Sequence, residues 1–233
     1  MNGQMPGELL KLGEYDSSKE THLATDRAID QTLRHLKAEI IHRWVPTEEF
    51  DFDSLETAAG FWIATGGNYV DSGKLIEAIQ LARVCKIPCL GTCSGFQHIV
   101  LEYAQNMLGI EHAGHTEYQP ETPEPFITPL PCSLRGKSMR IQLSRDSLSF
   151  RLYKELIIEE KYFCSFGINP RYSQAVQDGP IAVSGVDEDG AFRIVEYADH
   201  PFMVGTLFVP QVASVDRQPH PLIEGFIRAV LGY

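Results

Sequence analysis

The sequence contains no apolar run approaching the roughly eighteen residues that a membrane-spanning helix needs, so no membrane association is expected. Positive charge is scarce. Lys and Arg number 20 against 31 Asp and Glu, a formal net charge of −11, and no basic cluster supplies the stripe that a phosphate backbone requires. Nucleic acid is therefore not an expected partner. The stretch from Met1 to Glu20 has neither a basic start followed by an apolar segment nor a small-residue cleavage site, so no secretory signal is read and a cytoplasmic location is expected. C-x-x-C spacing is absent, and the five cysteines, at 85, 89, 93, 132 and 164, are odd in number. That pattern argues against a disulfide framework and suits a reducing compartment. The first three recur every four residues, as ligands on one helix face would, but Pro88 interrupts them, so no metal and no cofactor are expected. Internal repeats and low-complexity tracts are also missing.

What is present is an ordinary globular composition, 43% apolar and 22% charged over 233 residues, which suits a single domain over 1–233. Short apolar runs alternate with helical spacing. Leu9 to Leu12 reads as a strand, Thr21 to Ala38 as a helix, Glu39 to Trp44 as a strand and Gly60 to Ala64 as a short buried strand ending at Thr65-Gly66-Gly67. Ser72 to Lys86 is helical in pattern, Ile87 to Gly91 is a buried strand, and Phe96 to Leu108 is helical again. The second half is richer in strands, at Ser138 to Leu143, Ile157 to Cys164, Pro180 to Val186, Phe192 to Tyr197 and Phe202 to Phe208, with a final helix from Pro221 to Leu231. Five prolines between His115 and Pro131 predict an extended surface loop there. This alternation points to an α/β fold with a mostly parallel sheet and helices on both faces.

Between the strand ending at Gly91 and the helix starting near Phe96 lies Thr92-Cys93-Ser94-Gly95. A nucleophile on such a strand-to-helix elbow is pushed outward, flanking glycines relieve crowding, and the helix N-terminus favours a thiolate. The Ser94 amide becomes available to an oxyanion. The same pattern also fits a small cysteine buried at a junction, and local sequence does not separate the two.

Further motifs accompany the elbow: Thr65-Gly-Gly-Asn68, Ile87-Pro-Cys-Leu-Gly-Thr-Cys-Ser-Gly-Phe-Gln97, His115-Thr-Glu-Tyr118, Ile168-Asn-Pro170, Val195-Glu-Tyr-Ala-Asp-His-Pro-Phe202 and Pro219-His-Pro-Leu-Ile-Glu-Gly-Phe226. In this order they resemble the class I glutamine amidotransferase domain of CTP synthase from the first strand to the last helix, without the larger synthetase domain. The resemblance implies a flavodoxin-like domain in which a cysteine attacks a glutamine amide, a His-Glu pair activates it and ammonia is released. It implies Cys93 as nucleophile, the Gly66-Gly67 turn and Ser94 as the oxyanion region, Gln97 as a substrate contact and Glu117 as the group holding a substrate amino group. His200 and His220 fall outside the implied catalytic pair and are read as structural.

Two stretches depart from the family. Its Phe-His-Pro-Glu motif reads Phe208-Val-Pro-Gln211 here, and valine accepts no proton while glutamine carries no charge to steady an imidazolium. Its run of alternating Arg and His reads Lys161-Tyr-Phe-Cys-Ser-Phe-Gly167, which removes the guanidinium clamp for a carboxylate and leaves Lys161 as the one basic residue of that run. His98 lies one helical turn beyond Ser94, close to Cys93 or facing solvent, and His115 precedes Glu117; His115 is the candidate replacement base. Three functions follow: a degenerate amidotransferase-like domain binding a glutamine-like small molecule or a partner; a divergent cysteine hydrolase or transferase acting on an amide or ester; and a glutaminase subunit feeding a separate synthetase. A homodimer is a further expectation.

Overall fold

Four-residue strands set the frame of the first half of the chain, three of them fully buried, and the helices between them bury one side only. The computed structural model describes residues 7–213 and 218–233. Strands are Leu9–Leu12 (β1), His42–Val45 (β2), Gly60–Ile63 (β3) and Cys89–Thr92 (β4), separated by helices Glu20–Leu36 (α1), Phe52–Glu56 (α2) and Ser72–Cys85 (α3) and followed by Ser94–Asn106 (α4). Then come Ala113–His115 (β5), Glu124–Pro129 (β6), Ser138–Leu143 (β7), Leu148–Tyr153 (α5), Ile157–Lys161 (β8), Phe166–Ile168 (β9), Ser173–Gln177 (α6), Ala182–Val186 (β10), Phe192–Glu196 (β11), Met203–Thr206 (β12) and Pro221–Val230 (α7). None of the described helices is long and apolar enough to cross a membrane.

Local chemistry marks the helix ends. Asp71 caps α3 by accepting from the Lys74 amide, and Lys86 closes it in the left-handed region at φ 59° before Ile87-Pro88. His220 caps α7 by accepting from the Leu222 amide, with Pro221 as first helical residue, and Leu222, Ile223, Phe226, Ile227 and Val230 bury its inner stripe.

Nine strands form the main sheet in the order β2-β1-β3-β4-β12-β11-β10-β7-β8. The first five are parallel throughout, and the pairings from β12 to β8 are antiparallel. The mostly parallel sheet read from the sequence is thus parallel in the half that carries the cysteine elbow and antiparallel in the other. Trp62 meets Phe226 of α7 edge-on at 5.8 Å, whereas its neighbour Ile63 presses on Gly95 of α4. Successive strand residues point to opposite faces, so α7 and α4 lie on opposite sides of the sheet. Helix α1 packs with α7 and helix α3 with α4, which gives both faces a helical layer.

Two expectations change. The proline-rich segment from His115 to Pro131 is not a surface loop throughout: it contains β6, the middle strand of a small sheet β5-β6-β9, and Phe126 and Ile127 are fully buried. The prolines are tolerated because Pro125 sits at an irregularity in the β5–β6 pairing and Pro129 at the end of β6, where ladder hydrogen bonds are not required. The strand expected from Ile157 to Cys164 stops at Lys161, where the Tyr162 amide turns to the Lys137 carbonyl and the chain crosses to the small sheet. Cys164 lies in that crossing.

Candidate functional site

Cys93 stands alone between β4 and α4 with φ 55° and ψ −108°, a conformation that side chains rarely adopt. Its amide donates to the Thr206 carbonyl of β12 at 2.8 Å, and its carbonyl accepts from the Gln97 amide at 3.2 Å. Tight packing holds the bend. A Cβ at Gly91 would lie 2.7 Å from the Gly95 carbonyl oxygen, and one at Gly95 would lie 2.6 Å from the Ile63 carbonyl oxygen. Both contacts are with backbone, which cannot move aside, so glycine is required at both positions.

Across from the elbow, Gly66, Gly67 and Asn68 all have positive φ, at 103°, 59° and 60°. His22, buried on α1, holds this loop through Nε2 and the Thr65 carbonyl at 2.9 Å, while its Nδ1 accepts from the Asp16 amide. The Gly67 amide, implied as an oxyanion donor, donates instead to Ser94 Oγ at 3.1 Å, and that hydroxyl donates to the Ala64 carbonyl. The Ser94 amide opens α4, so no helical carbonyl precedes it to accept its proton.

Gln97, His115 and Glu117 form one network. The Gln97 amide donates through Nε2 to the Phe166 carbonyl at 3.0 Å, and its Oε1 accepts from His115 Nε2 at 3.0 Å. His115 Nδ1 accepts from the Glu117 amide at 3.2 Å, so the proton sits on Nε2 and the lone pair is already engaged. His98 does not face solvent: it is buried, donates through Nδ1 to the Ser94 carbonyl at 2.9 Å and packs edge-on to Tyr69. Burial pushes the His98 imidazole down to about 4 and that of His115 down to about 3, with the neighbouring His98 lowering His115 further. Both groups bind a proton more readily unfolded, at about 6.5, than folded. Stability therefore rises with pH across the window between those values and is lost as pH falls below about 6.5. At pH 5 each imidazole is expected to cost about 2 kcal/mol relative to pH 7. Urea midpoints at the two pH values measure this, and equal midpoints would refute it.

A cavity of about 350 Å³ opens between the elbow, the Gly66-Gly67 loop and the crossing from β8 to β9. Cys93, Ser94, Gln97, Glu117, Gly66 and Gly67 all line it, so the residues singled out in the sequence converge. His115 stands behind Gln97 rather than in the wall. Val209 is fully buried and its amide donates to the Lys161 carbonyl. Gln211 is buried too, its Nε2 reaching Thr25 Oγ1 at 3.2 Å and Thr92 Oγ1 at 3.3 Å, so it links α1 to the residue before the elbow. Among the described residues no imidazole hydrogen-bonds the Cys93 sulfur.

Lys19, Arg135 and Cys164 are among the wall residues that the sequence did not offer as site candidates. Lys161, the basic residue expected to remain, sits over the Phe163 ring, and it is Phe163 that faces the cavity. Arg135 could be found only by knowing that the turn before β7 folds over this wall. Cys164 corrects the expectation against disulfides: the structure pairs it with Cys93 across 71 residues, with Cα atoms 6.0 Å apart. Cys85, Cys89 and Cys132 remain free. Counting cysteines and their local spacing is blind to a pair brought together by separate elements. His200, read from sequence as structural, bonds the Ala82 carbonyl, and His220, read likewise, bonds the Glu160 carboxylate.

Comparison with known proteins places this geometry. Residues 20–229 match the family described as glutamine amidotransferase class-I. The chain is 33% identical over 245 aligned residues to CTP synthase of Microcystis aeruginosa, covering 98% of this chain and 45% of that protein. It is 30% identical over 236 residues to CTP synthase of Sulfurisphaera tokodaii, covering 95% and 44%. It thus spans a little under half the length of the curated relatives it matches. Among solved structures, the glutaminase domain of Trypanosoma brucei CTPS with bound acivicin superposes with a TM-score of 0.89 at 19% identity, covering 97% of this chain and 94% of that one. A glutamine amidotransferase from Thermotoga maritima gives 0.60 at 12% identity, covering 98% and 97%.

Proposed function

We propose that this chain, which belongs to the glutamine amidotransferase class-I family, uses the Cys93 cavity to hold a small amino-bearing ligand and does not hydrolyse free glutamine at an ordinary enzymatic rate. The observation that carries this reading is the surroundings of the Cys93 sulfur. No imidazole engages it, and its partner is the sulfur of Cys164. A thiol that must expel an amide nitrogen needs a group to take its proton and return it to the leaving amine, and a positioned acid–base residue contributes about 10²–10⁴ in rate.

Other features support the same reading. The Gly67 amide is occupied by Ser94 Oγ, so one of the two implied oxyanion donors is engaged elsewhere. Phe163 faces the cavity in the run where the family resemblance implies arginine, so the bidentate grip on an α-carboxylate is missing. Glu117, Lys19 and Arg135 all line the wall, a set suited to a ligand that carries both signs of charge. His115 serves as a positioning residue, joining the Gln97 side chain to the Glu117 backbone, and its engaged lone pair leaves it poorly placed to act as base.

The retained elbow favours a second reading, in which Cys93 forms a covalent adduct with an amide or ester whose leaving group needs no protein acid. Supply of ammonia to a separate synthetase ranks behind both, because it requires the step that lacks a base. The purified, fully reduced chain is expected to release ammonia from L-glutamine at about 10⁻² s⁻¹ or less, at least 10²-fold below the roughly 1 s⁻¹ at the slow end of ordinary enzymes. A coupled ammonia assay measures this, and a turnover of about 1 s⁻¹ or more would overturn the proposal.

A further inference from the structure

We propose that Cys93 and Cys164 are a reversible dithiol–disulfide couple that exchanges electrons with low-molecular-weight thiols and disulfides entering the cavity. The proposal uses only sulfur chemistry and stands independently of the ligand-binding reading above.

Backbone placement supports it first. The Cα separation of 6.0 Å lies within the range a disulfide spans. Both residues are held by one strand end. The Cys93 amide donates to the carbonyl of Thr206, and Cys164 Sγ lies 3.0 Å from the carbonyl of the next residue, Leu207. The Cys164 carbonyl also accepts from the Leu134 amide. Two cysteines from distant elements are therefore fixed by neighbouring carbonyls of β12 and its continuation, while both border the cavity.

The two sulfurs are chemically unequal. Cys93 sits at the N-terminus of the 13-residue α4, where the unsatisfied amides and the helix dipole favour the thiolate. In the reduced form Cys164 donates its S–H to the Leu207 carbonyl, and a hydrogen bond to the neutral form disfavours its ionisation. Cys93 is thus the attacking sulfur and Cys164 the resolving one. The Cys93 thiolate attacks one sulfur of R–S–S–R, forming Cys93–S–S–R and releasing RS⁻, which takes up a proton. Cys164 then loses its proton and attacks the Cys93 sulfur, forming Cys93–S–S–Cys164 and releasing the second RS⁻, protonated in turn. The protein gives up two electrons and two protons, and R–S–S–R becomes two RSH. Neither step needs a base to activate an amide leaving group, because a thiolate leaves unaided. The absence of a histidine beside Cys93 is no handicap to this reaction.

The test equilibrates the full chain, reduced and freed of reductant, in mixtures of 2-mercaptoethanol and its disulfide, followed by acid quench and non-reducing peptide mapping. The linked Cys93–Cys164 peptide is expected to rise with the disulfide-to-thiol ratio and to fall again when the ratio is reversed. Alkylation of Cys93 by iodoacetamide should drop at least tenfold as it forms. No linked peptide at any ratio, or a linked peptide that survives excess thiol, would overturn the proposal. The unequal roles are read separately: Cys164→Ser is expected to trap a mercaptoethanol adduct on Cys93, and Cys93→Ser to leave Cys164 unmodified on the same timescale. Equal adduct formation in the two variants would overturn the assignment of attacking and resolving sulfur.

Discussion

Introducing histidine at Val209 together with glutamate at Gln211 is expected to raise ammonia release from glutamine by the reduced chain about 10²-fold, and iodoacetamide labelling of Cys93 at pH 7 about tenfold. Thr206 of β12 pairs with Thr92 of β4, and Val209 follows three residues beyond it, on the segment that flanks the elbow. Gln211 already reaches Thr92, the residue before Cys93, so a glutamate there would sit between two threonine hydroxyls. An unperturbed thiol, with a pKa near 8.5, is only a few per cent ionised at pH 7, and an adjacent imidazolium lowers that value. The gain in labelling is therefore bounded by the thiolate fraction, while the larger gain in hydrolysis comes from proton delivery to the leaving amine. The two substitutions are not expected to add independently, because glutamate without histidine has nothing to orient. Val209 is fully buried, so the larger ring is expected to cost about 1–3 kcal/mol of stability, which urea unfolding reads apart from activity. A folded double variant no faster than its parent in either assay would show that supplying an imidazole at 209 and a carboxylate at 211 is not what Cys93 needs.

Removing the guanidinium of Arg83 is expected to destabilise the chain by about 3–5 kcal/mol, because it strands a charge in the core. Glu102 is fully buried on α4, and Arg83 of α3 donates to it through Nη2 at 2.6 Å and through Nε at 3.0 Å. Asn106 Nδ2 adds a third donor at 3.1 Å. The pair fastens α3 to α4, the helix whose first turn bears the elbow. Arg83→Met leaves the carboxylate with one weak donor, whereas Arg83→Met with Glu102→Leu removes the charge together with its partner and is expected to recover most of the loss. Urea unfolding of parent, single and double variants measures both steps. A double variant as unstable as the single one would mean that the helices lose packing rather than charge compensation.

Much of the site was legible because its constraints are local. Gly91, Cys93 and Gly95 fall within five residues, and the clashes that demand the glycines come from the bend itself and from the strand beside it. Much of the parallel half of the sheet was legible for a similar reason, since β1, β3 and β4 are short buried runs, with β3 closed by Thr65-Gly66-Gly67. What escaped depends on chain segments meeting at a distance. The small sheet was hidden because proline is usually a strand breaker, and only its placement at an irregularity and at a strand end makes β6 possible. Cys164 reaches the cavity because the chain leaves β8 at Lys161 and crosses over, and Arg135 because the turn before β7 folds against that crossing, changes of direction with no residue pattern to announce them. The engagement of the Gly67 amide by Ser94 Oγ was likewise invisible, because it depends on how closely the Gly66-Gly67 turn approaches the first residue of α4.

The glycine-locked bend also divides this pocket into a frozen part and a permissive part. No side chain fits at Gly91 or Gly95 without collision with backbone, so the display of the sulfur is dictated by volume alone, whatever chemistry it serves. Position 163 in the cavity wall is under no such steric veto, since it already carries a full side chain, whereas the buried Val209 and Gln211 exchange only at a cost in packing. The bend thus fixes where the sulfur stands, while the side chains around the cavity set what can reach it.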